Sequence, residues 1–344
     1  MSTRNPAGRW RRLTRRQRAV LAVVVVCATV CAGLVTLVLS AGHRYEGRVH
    51  REEILGQGGA SRDGQQWRRG ALNLLLLGSD SRDGEPDQGE YSGQRSDTIM
   101  LVHLNGTRDT VTVVSIPRDS YVDVPARPGV WDGGKNKINA AFAFGGAALA
   151  AETVHRLTGV AIDGVVVANF AAVRTIVDAV GGITVCIPYE VTSTTTGRRW
   201  PAGCHRLDGN ATEDLVRQRH GVPGGDLGRI RDQHLVVKAI AEQLSPASLI
   251  ANPTRLDRLL TTAAESLTVD ENLDLTELAL ALRHVRTERI RFVTVPVSDP
   301  GLDTPAGSAV LLDDQAAAEL FTAVRGDTVD RWLTDNPRYV SVPD

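Results

Sequence analysis

The chain is poor in lysine. Of its 39 basic residues only Lys135, Lys137 and Lys238 are lysines, and the rest are arginines. It is also poor in cysteine. Cys27 and Cys31 sit in an apolar run, which leaves Cys186 and Cys204 as the one pair in the body and excludes a disulfide-dense scaffold. In an oxidising compartment that pair can close a small loop worth roughly 3 kcal/mol; in a cytosolic protein the two are buried thiols. No G-x-x-x-x-G-K-[ST], H-E-x-x-H or G-x-S-x-G occurs, and the histidines lack metal-ligand spacing, which sets aside P-loop, zincin and α/β-hydrolase chemistry. There is no internal repeat and no low-complexity segment. Residues 1–18 hold seven arginines and no acid; with the net charge at −1, the remainder is acidic by about −8. An acidic body with local arginines is not a general polyanion binder, so a specific anion pocket is the expectation.

Residues 19–40 are apolar and uncharged, beginning AVLAVVVVCATVCAGLVTLVL. At 1.5 Å per residue the run spans about 30 Å, one hydrocarbon core. The flanking arginines lie on its N-terminal side, so residues 1–18 read as a cytoplasmic tail, 19–40 as a single transmembrane helix and 41–70 as an extracellular stalk. A cleaved signal peptide is the rival; the run is long for one and no clear cleavage site follows. This topology favours the Cys186–Cys204 bridge and makes nucleic acid an improbable partner. A single folded domain is expected over 71–325 and an irregular tail over 326–344.

The most telling stretch is 207–238. It carries Arg217, Arg219, Arg229, Arg231, Asp226 and Gln233, and 221–225 breaks it into two helices. Asn210 with Glu213 reads as a capping box for the first helix, and Asp226 as a cap for the second. One face of the second helix runs Asp226, Arg229, Gln233, Val236, Ile240: polar first, then apolar. Charge on a face that becomes core needs a partner. A phosphate at the helix N-terminus supplies one; so does an internal ion-pair network with Asp226, Asp214 or Glu213. The stretch by itself leaves the two readings even.

Upstream, ALNLLLLG from Ala71 reads as a buried central strand ending near Asp80 and Arg82. TIMLVHL and TVTVVSI form a hairpin about Asn105–Asp109. If Leu104 faces Thr110, Asp97 faces Pro117 and meets Arg118 at one end. Between Asp80 and Asp97 the loop is long and acidic (Asp83, Glu85, Asp87, Glu90). Strand–helix alternation over 161–191 argues for an α/β fold; later helices are expected near 247–265, 273–283 and 312–324. Two carboxylates, Asp80 and Asp97, suit Mg²⁺, which uses one or two carboxylates plus phosphate oxygens.

Six blocks in order carry a family likeness: NLLLLGSDSR (73–82), RSDT (95–98), SIPRDSYV (115–122), KINAAFAFGG (137–146), VDAVGGI (177–183) and LDG…VRQRHGVPGGDLGRIRDQ (207–233). Together they resemble the LytR-CpsA-Psr family of cell-wall glycopolymer ligases, over about 73–324. The resemblance implies an α-β-α sandwich with a central mixed sheet and an apolar cavity for a lipid tail, with 137–157 and 164–183 as candidate walls. It implies transfer of a glycan-1-phosphate from a polyprenyl-pyrophosphate-linked glycan to a peptidoglycan hydroxyl. By motif position Arg82, Arg118, Arg217, Arg219, Arg229 and Gln233 would bind pyrophosphate, Asp80 and Asp97 would hold Mg²⁺ or take the acceptor's proton, and Asp80, Asp97 and Arg118 would be catalytic, with Lys137 and Asp226 as further candidates. Two alternatives stay open: a pyrophosphatase using water, and a non-enzymatic lipid-binding envelope regulator.

Overall fold

The computed structural model describes residues 48–56, 70–79, 96–219, 221–244 and 253–342. The expected membrane helix at 19–40, most of the stalk, Asp80, Arg82 and the acidic loop lie outside the described residues. Among those residues no helix is long and apolar enough to cross a membrane.

In chain order the elements are β1 (His50–Glu52), β2 (Leu72–Ser79), β3 (Ser96–Leu104), β4 (Val111–Ser115), β5 (Tyr121–Val124), β6 (Gly134–Lys137), α1 (Ile138–Thr158), β7 (Gly164–Asn169), α2 (Phe170–Ala179), β8 (Ile183–Ile187), β9 (Val191–Thr192), β10 (Arg199–Trp200), β11 (Gly203–Leu207), α3 (Gly209–Val216), α4 (Asp226–Gln243), α5 (Pro253–Ser266), β12 (Leu267–Asp270), α6 (Leu275–Leu282), β13 (Ile290–Thr294), β14 (Val297–Thr304), β15 (Gly307–Leu312), α7 (Asp314–Arg325) and α8 (Val329–Asp335).

The middle layer is a seven-stranded mixed sheet of order β1-β12-β7-β2-β3-β4-β13. β2, the run NLLLLG, is its centre: parallel to β7 on one side and antiparallel to β3 on the other. Strict alternation then sends Leu75 and Leu77 to one face and Leu74 and Leu76 to the other. On the first face α1, α7 and α8 close a core with Leu75, Leu77, Ile99 and Leu101. On the second, α6 and part of α4 cover Leu72, Met100 and Phe292. A further apolar cluster joins α2, α3, α4 and α5 to β8 and β11. The α-β-α sandwich expected from the sequence is therefore the architecture.

Three local expectations fail. The β3–β4 register is one residue off the anticipated one, with Leu104 facing Val111. α3 is capped by Asp208, whose carboxylate accepts from the Ala211 amide at 2.8 Å, rather than by Asn210. The Asp208 carboxylate reaches the orphan amide three residues on, which is the capping geometry. Nor is 326–344 an irregular tail: α8 buries Val329, Trp332 and Leu333 in the first core, a burial that supplies the energy to order it.

Candidate functional site

The corrected register serves the site better than the anticipated one. Continuing the pairing Met100–Ser115 outward brings Asp97 opposite Arg118, beyond the end of β4. Gly78, opposite Thr98, has no Cβ because one would lie 2.7 Å from Thr98 Cβ. The β2–β3 pairing shifts register just beyond it, with Ser79 opposite Ser96, so that Asp97 stands at the irregularity.

Arg118 is the hub. Its Nη1 donates to Asp97 Oδ1, and its Nε lies 3.5 Å from Asp119 Oδ2 and 3.4 Å from Asp226 Oδ1. Arg229 Nη2 is 2.9 Å from Asp226 Oδ1 and donates to the Asp97 carbonyl at 3.3 Å. Lys137, just before α1, sits 3.6 Å from the other side of Asp119. Three cations thus meet three carboxylates. Burial works against the Arg118 charge, but Asp97, Asp226 and Asp119 outweigh it and hold the guanidinium above its ordinary value. Arg229 is buried at 3 % exposure. Burial pulls its basicity below the ordinary value, opposed by Asp226 and Asp97 and reinforced by repulsion from Arg118 and Arg219. Its charge is therefore under-compensated, and an anion beside it would be gained at little desolvation cost.

Asp226 occupies this hub because of the glycines before it. Gly225, at φ 59°, is the N-cap of α4 and offers no side chain; Asp226 is the first helical residue, free to turn to Arg118 and Arg229 instead of capping. Arg229 and Gln233 follow on the same face, both buried. Gln233 lines a cavity of about 100 Å³ whose other walls include Leu76, Met100, Phe170, Val173 and Val236. α1 does not line it; that helix belongs to the opposite layer, so of the two candidate walls only the 164–183 segment contributes, through Ala168, Asn169, Phe170 and Val173.

Arg217 and Arg219 leave the end of α3 exposed. The Arg217 guanidinium lies 4.8 Å over the Phe170 ring and pairs with Glu213 at 2.9 Å. Glu213 also holds Arg174 at 3.2 Å. Arg219 is near enough to Arg229 to weigh on its charge. So Asp97, Arg118 and Arg229 converge, Gln233 connects them to the cavity, and Arg217 and Arg219 form a rim. Asp80 and Arg82 are outside the described residues. Asp119 was missed by the sequence reading, though it stands beside Arg118 in the same block. Phe170 carried no sequence signal as an arginine platform, since an aromatic at a strand–helix junction reads as core.

Cys186 and Cys204 are directly opposed on β8 and β11 and form a disulfide. It staples the hairpin on which α4 packs, away from the arginine hub.

Among the described residues no group of three or more side chains has metal-ligand grouping. Mg²⁺ asks for less: one or two carboxylates plus phosphate oxygens. Asp226 Oδ1 is ion-paired to Arg118 and Arg229, whereas its Oδ2 is buried and without a hydrogen bond, and Asp97 shares the Arg118 guanidinium. A hard, buried oxygen of this kind beside a second carboxylate fits Mg²⁺.

A model of the LytR_cpsA_psr family matches residues 43–325. The probable cell wall biosynthesis protein LcpB of Corynebacterium glutamicum is 35% identical over 265 residues, covering 74% of this chain and 61% of LcpB. The polyisoprenyl-teichoic acid–peptidoglycan teichoic acid transferase TagU of Enterococcus faecalis is 33% identical over 204 residues, 59% of this chain and 62% of TagU. The chain thus spans about three-fifths of the length of these curated relatives. Among solved structures, TagT bound to LIIa-WTA superposes with a TM-score of 0.62 at 24% identity, covering 81% of this chain and 99% of that one, a likeness of fold.

Proposed function

The chain belongs to the LytR-CpsA-Psr family, and from that premise we propose that it transfers a glycan-1-phosphate from a polyprenyl-pyrophosphate carrier to a hydroxyl of peptidoglycan, as a membrane-anchored phosphotransferase. One observation carries the reading: Arg118 and Arg229, distant along the chain, share Asp97 and Asp226 next to an apolar cavity that Gln233, one turn on from Arg229, lines. A charged headgroup suits the guanidinium pair, and the apolar cavity of about 100 Å³ beside it suits the start of an isoprenoid tail. The TagU relative's name specifies polyisoprenyl-linked teichoic acid and peptidoglycan; here those are the substrate classes proposed.

Arg118 and Arg229 are paired with aspartates, Arg229 incompletely. A pyrophosphate would take over the Arg118 and Arg229 guanidinium groups, with Arg217 and Arg219 at the rim, by charge-assisted forks. The aspartates so released need a cation, and Mg²⁺, held by Asp97 and Asp226 with Asp80, would supply neutralising positive charge to the phosphate oxygens. The acceptor hydroxyl oxygen attacks the glycan-side phosphorus. The bond from that phosphorus to the bridging oxygen breaks, polyprenyl phosphate leaves, and the hydroxyl proton passes to a carboxylate, Asp97 or Asp80. The guanidinium groups absorb the developing charge.

The test supplies purified protein with a lipid-linked pyrophosphate glycan, with and without a peptidoglycan acceptor. Product on the acceptor supports transfer. Release of glycan phosphate to water, unchanged by acceptor, would make it a pyrophosphatase, and a bound but unreacted lipid would make it a binding protein.

A further inference from the structure

Between the rim arginines lies a residue of the opposite kind. Gln218 is 1 % exposed, whereas its neighbours Arg217 and Arg219 are exposed. Its amide is fully used. Nε2 donates to the Asp214 carbonyl at 2.8 Å, to Asp214 Oδ1 at 3.0 Å and to Ser193 Oγ at 3.2 Å. Oε1 accepts from the Thr194 amide at 2.9 Å and faces its hydroxyl at 3.3 Å. The partners are themselves cross-tied: Ser193 Oγ donates to Asp214 Oδ1 at 2.7 Å and Thr196 Oγ1 to Asp214 Oδ2 at 2.6 Å, while the Thr195 and Thr196 amides donate to Ser193 Oγ. The turn between β9 and β10 is thereby fastened to the chain leaving α3.

Helical hydrogen bonding has ended there. The Gln218 amide makes only a short-range bond to the Leu215 carbonyl, and Arg217 is the C-cap. Among the described residues no carboxylate pairs with Arg219. Backbone regularity therefore does not aim these two arginines, and the buried amide between them is what fixes where their Cα atoms stand.

We propose that Gln218 is a positioning residue, a latch that holds Arg217 and Arg219 at the rim of the headgroup site for the lipid-pyrophosphate donor. The inference rests on the phosphotransferase reading. It differs from a mere fold-stabilising role in what it predicts: donor recognition suffers and acceptor recognition does not. A misplacement of about 1 Å in a preorganised site costs on the order of 100-fold, so a loss of tenfold or more is expected.

Gln218→Glu sets a carboxylate against Asp214 Oδ1 and the Asp214 carbonyl. Adding Asp214→Asn turns the side-chain repulsion into an amide-to-carboxylate hydrogen bond and leaves only the contact with the Asp214 carbonyl, so the recovery expected is partial. The measurements on the full-length protein are binding of geranylgeranyl pyrophosphate, steady-state KM for the lipid-linked donor and for the glycan acceptor, and the thermal midpoint. Expected are donor affinity and donor KM worse by about tenfold or more in Gln218→Glu, an unchanged acceptor KM, and partial recovery in the Gln218→Glu/Asp214→Asn double variant. Should Gln218→Glu fail to fold, Ser193→Ala loosens the same latch from the turn side and is expected to show the same split. Wild-type binding with undiminished affinity in Gln218→Glu, or in Ser193→Ala where that variant is the one read, overturns the latch, as does an equal loss for donor and acceptor. Failure of the wild type to bind the prenyl pyrophosphate at all overturns the phosphotransferase reading, and the latch with it.

Discussion

Arg118 and Arg229 differ in environment although both are site arginines. The first is held by three carboxylates; the second is buried and under-compensated. Replacing either by alanine removes a preorganised positive group, and kcat for transfer is expected to fall by about 100- to 1,000-fold. Circular dichroism and the melting midpoint check that the variants remain folded; wild-type turnover in both would remove the site. Arg118→Lys is not conservative here, because a point charge cannot span Asp97, Asp119 and Asp226 at once. The pairing of Asp97 with Arg118 was legible from hairpin arithmetic despite the register slip, because both groups lie at the same open end. Asp226 was legible as a helix-start acid and as one candidate ion-pair partner for the arginines of its own stretch, but not as a partner of Arg118, since only the packed sheet brings that residue to it.

Among the elements, α4 carries both the site and two buried titratable groups. Asp232 is fully buried, and desolvation raises its carboxyl to about 6 from 3.8, against the Tyr189 hydroxyl that donates to it at 2.6 Å. The folded state then holds the proton longer than the unfolded chain, so stability falls as pH rises from 3.8 to about 6 and is level above that. His234, two residues on, has the opposite sign: burial keeps it neutral down to about 3 against 6.5, so stability is lost as pH falls through that window. Asp232→Asn removes the first slope only. Denaturant midpoints taken across the window are expected to show the variant gaining on the wild type as pH rises; a gap that stays constant with pH would contradict the burial argument. α4's amphipathic stripe was visible in sequence because 3.6-residue periodicity is local. Its Gly225 start and the identity of its neighbours were not.

For the whole molecule, the Cys186–Cys204 bridge closes a loop with a sequence separation of 18. Its loss in Cys186→Ser/Cys204→Ser is expected to cost about 3 kcal/mol by the loop-entropy argument, read as a lower denaturant midpoint, with the arginine hub untouched; an unchanged midpoint would show the hairpin is held by its packing alone. If residues 19–40 are the anchor, the full chain sediments with membranes, whereas a chain beginning at Arg48, the start of the compact unit that runs to Asp344, remains in the supernatant. Recovery of the full chain in the supernatant would refute the anchor. By itself the sequence determined the principal strands and helices, the α/β alternation, the apolar run near the N-terminus and the set of arginines worth watching, because hydrophobic period, turn residues and charge are short-range properties. Only the tertiary structure decided that Asp119 and Asp226 share Arg118, that Phe170 underlies Arg217, that α1 faces away from the cavity, and that Gln218 is buried between two exposed arginines. Apart from Asp119, the chain neighbour of Arg118, those are contacts between segments far apart along the chain, and they are fixed by how the layers pack.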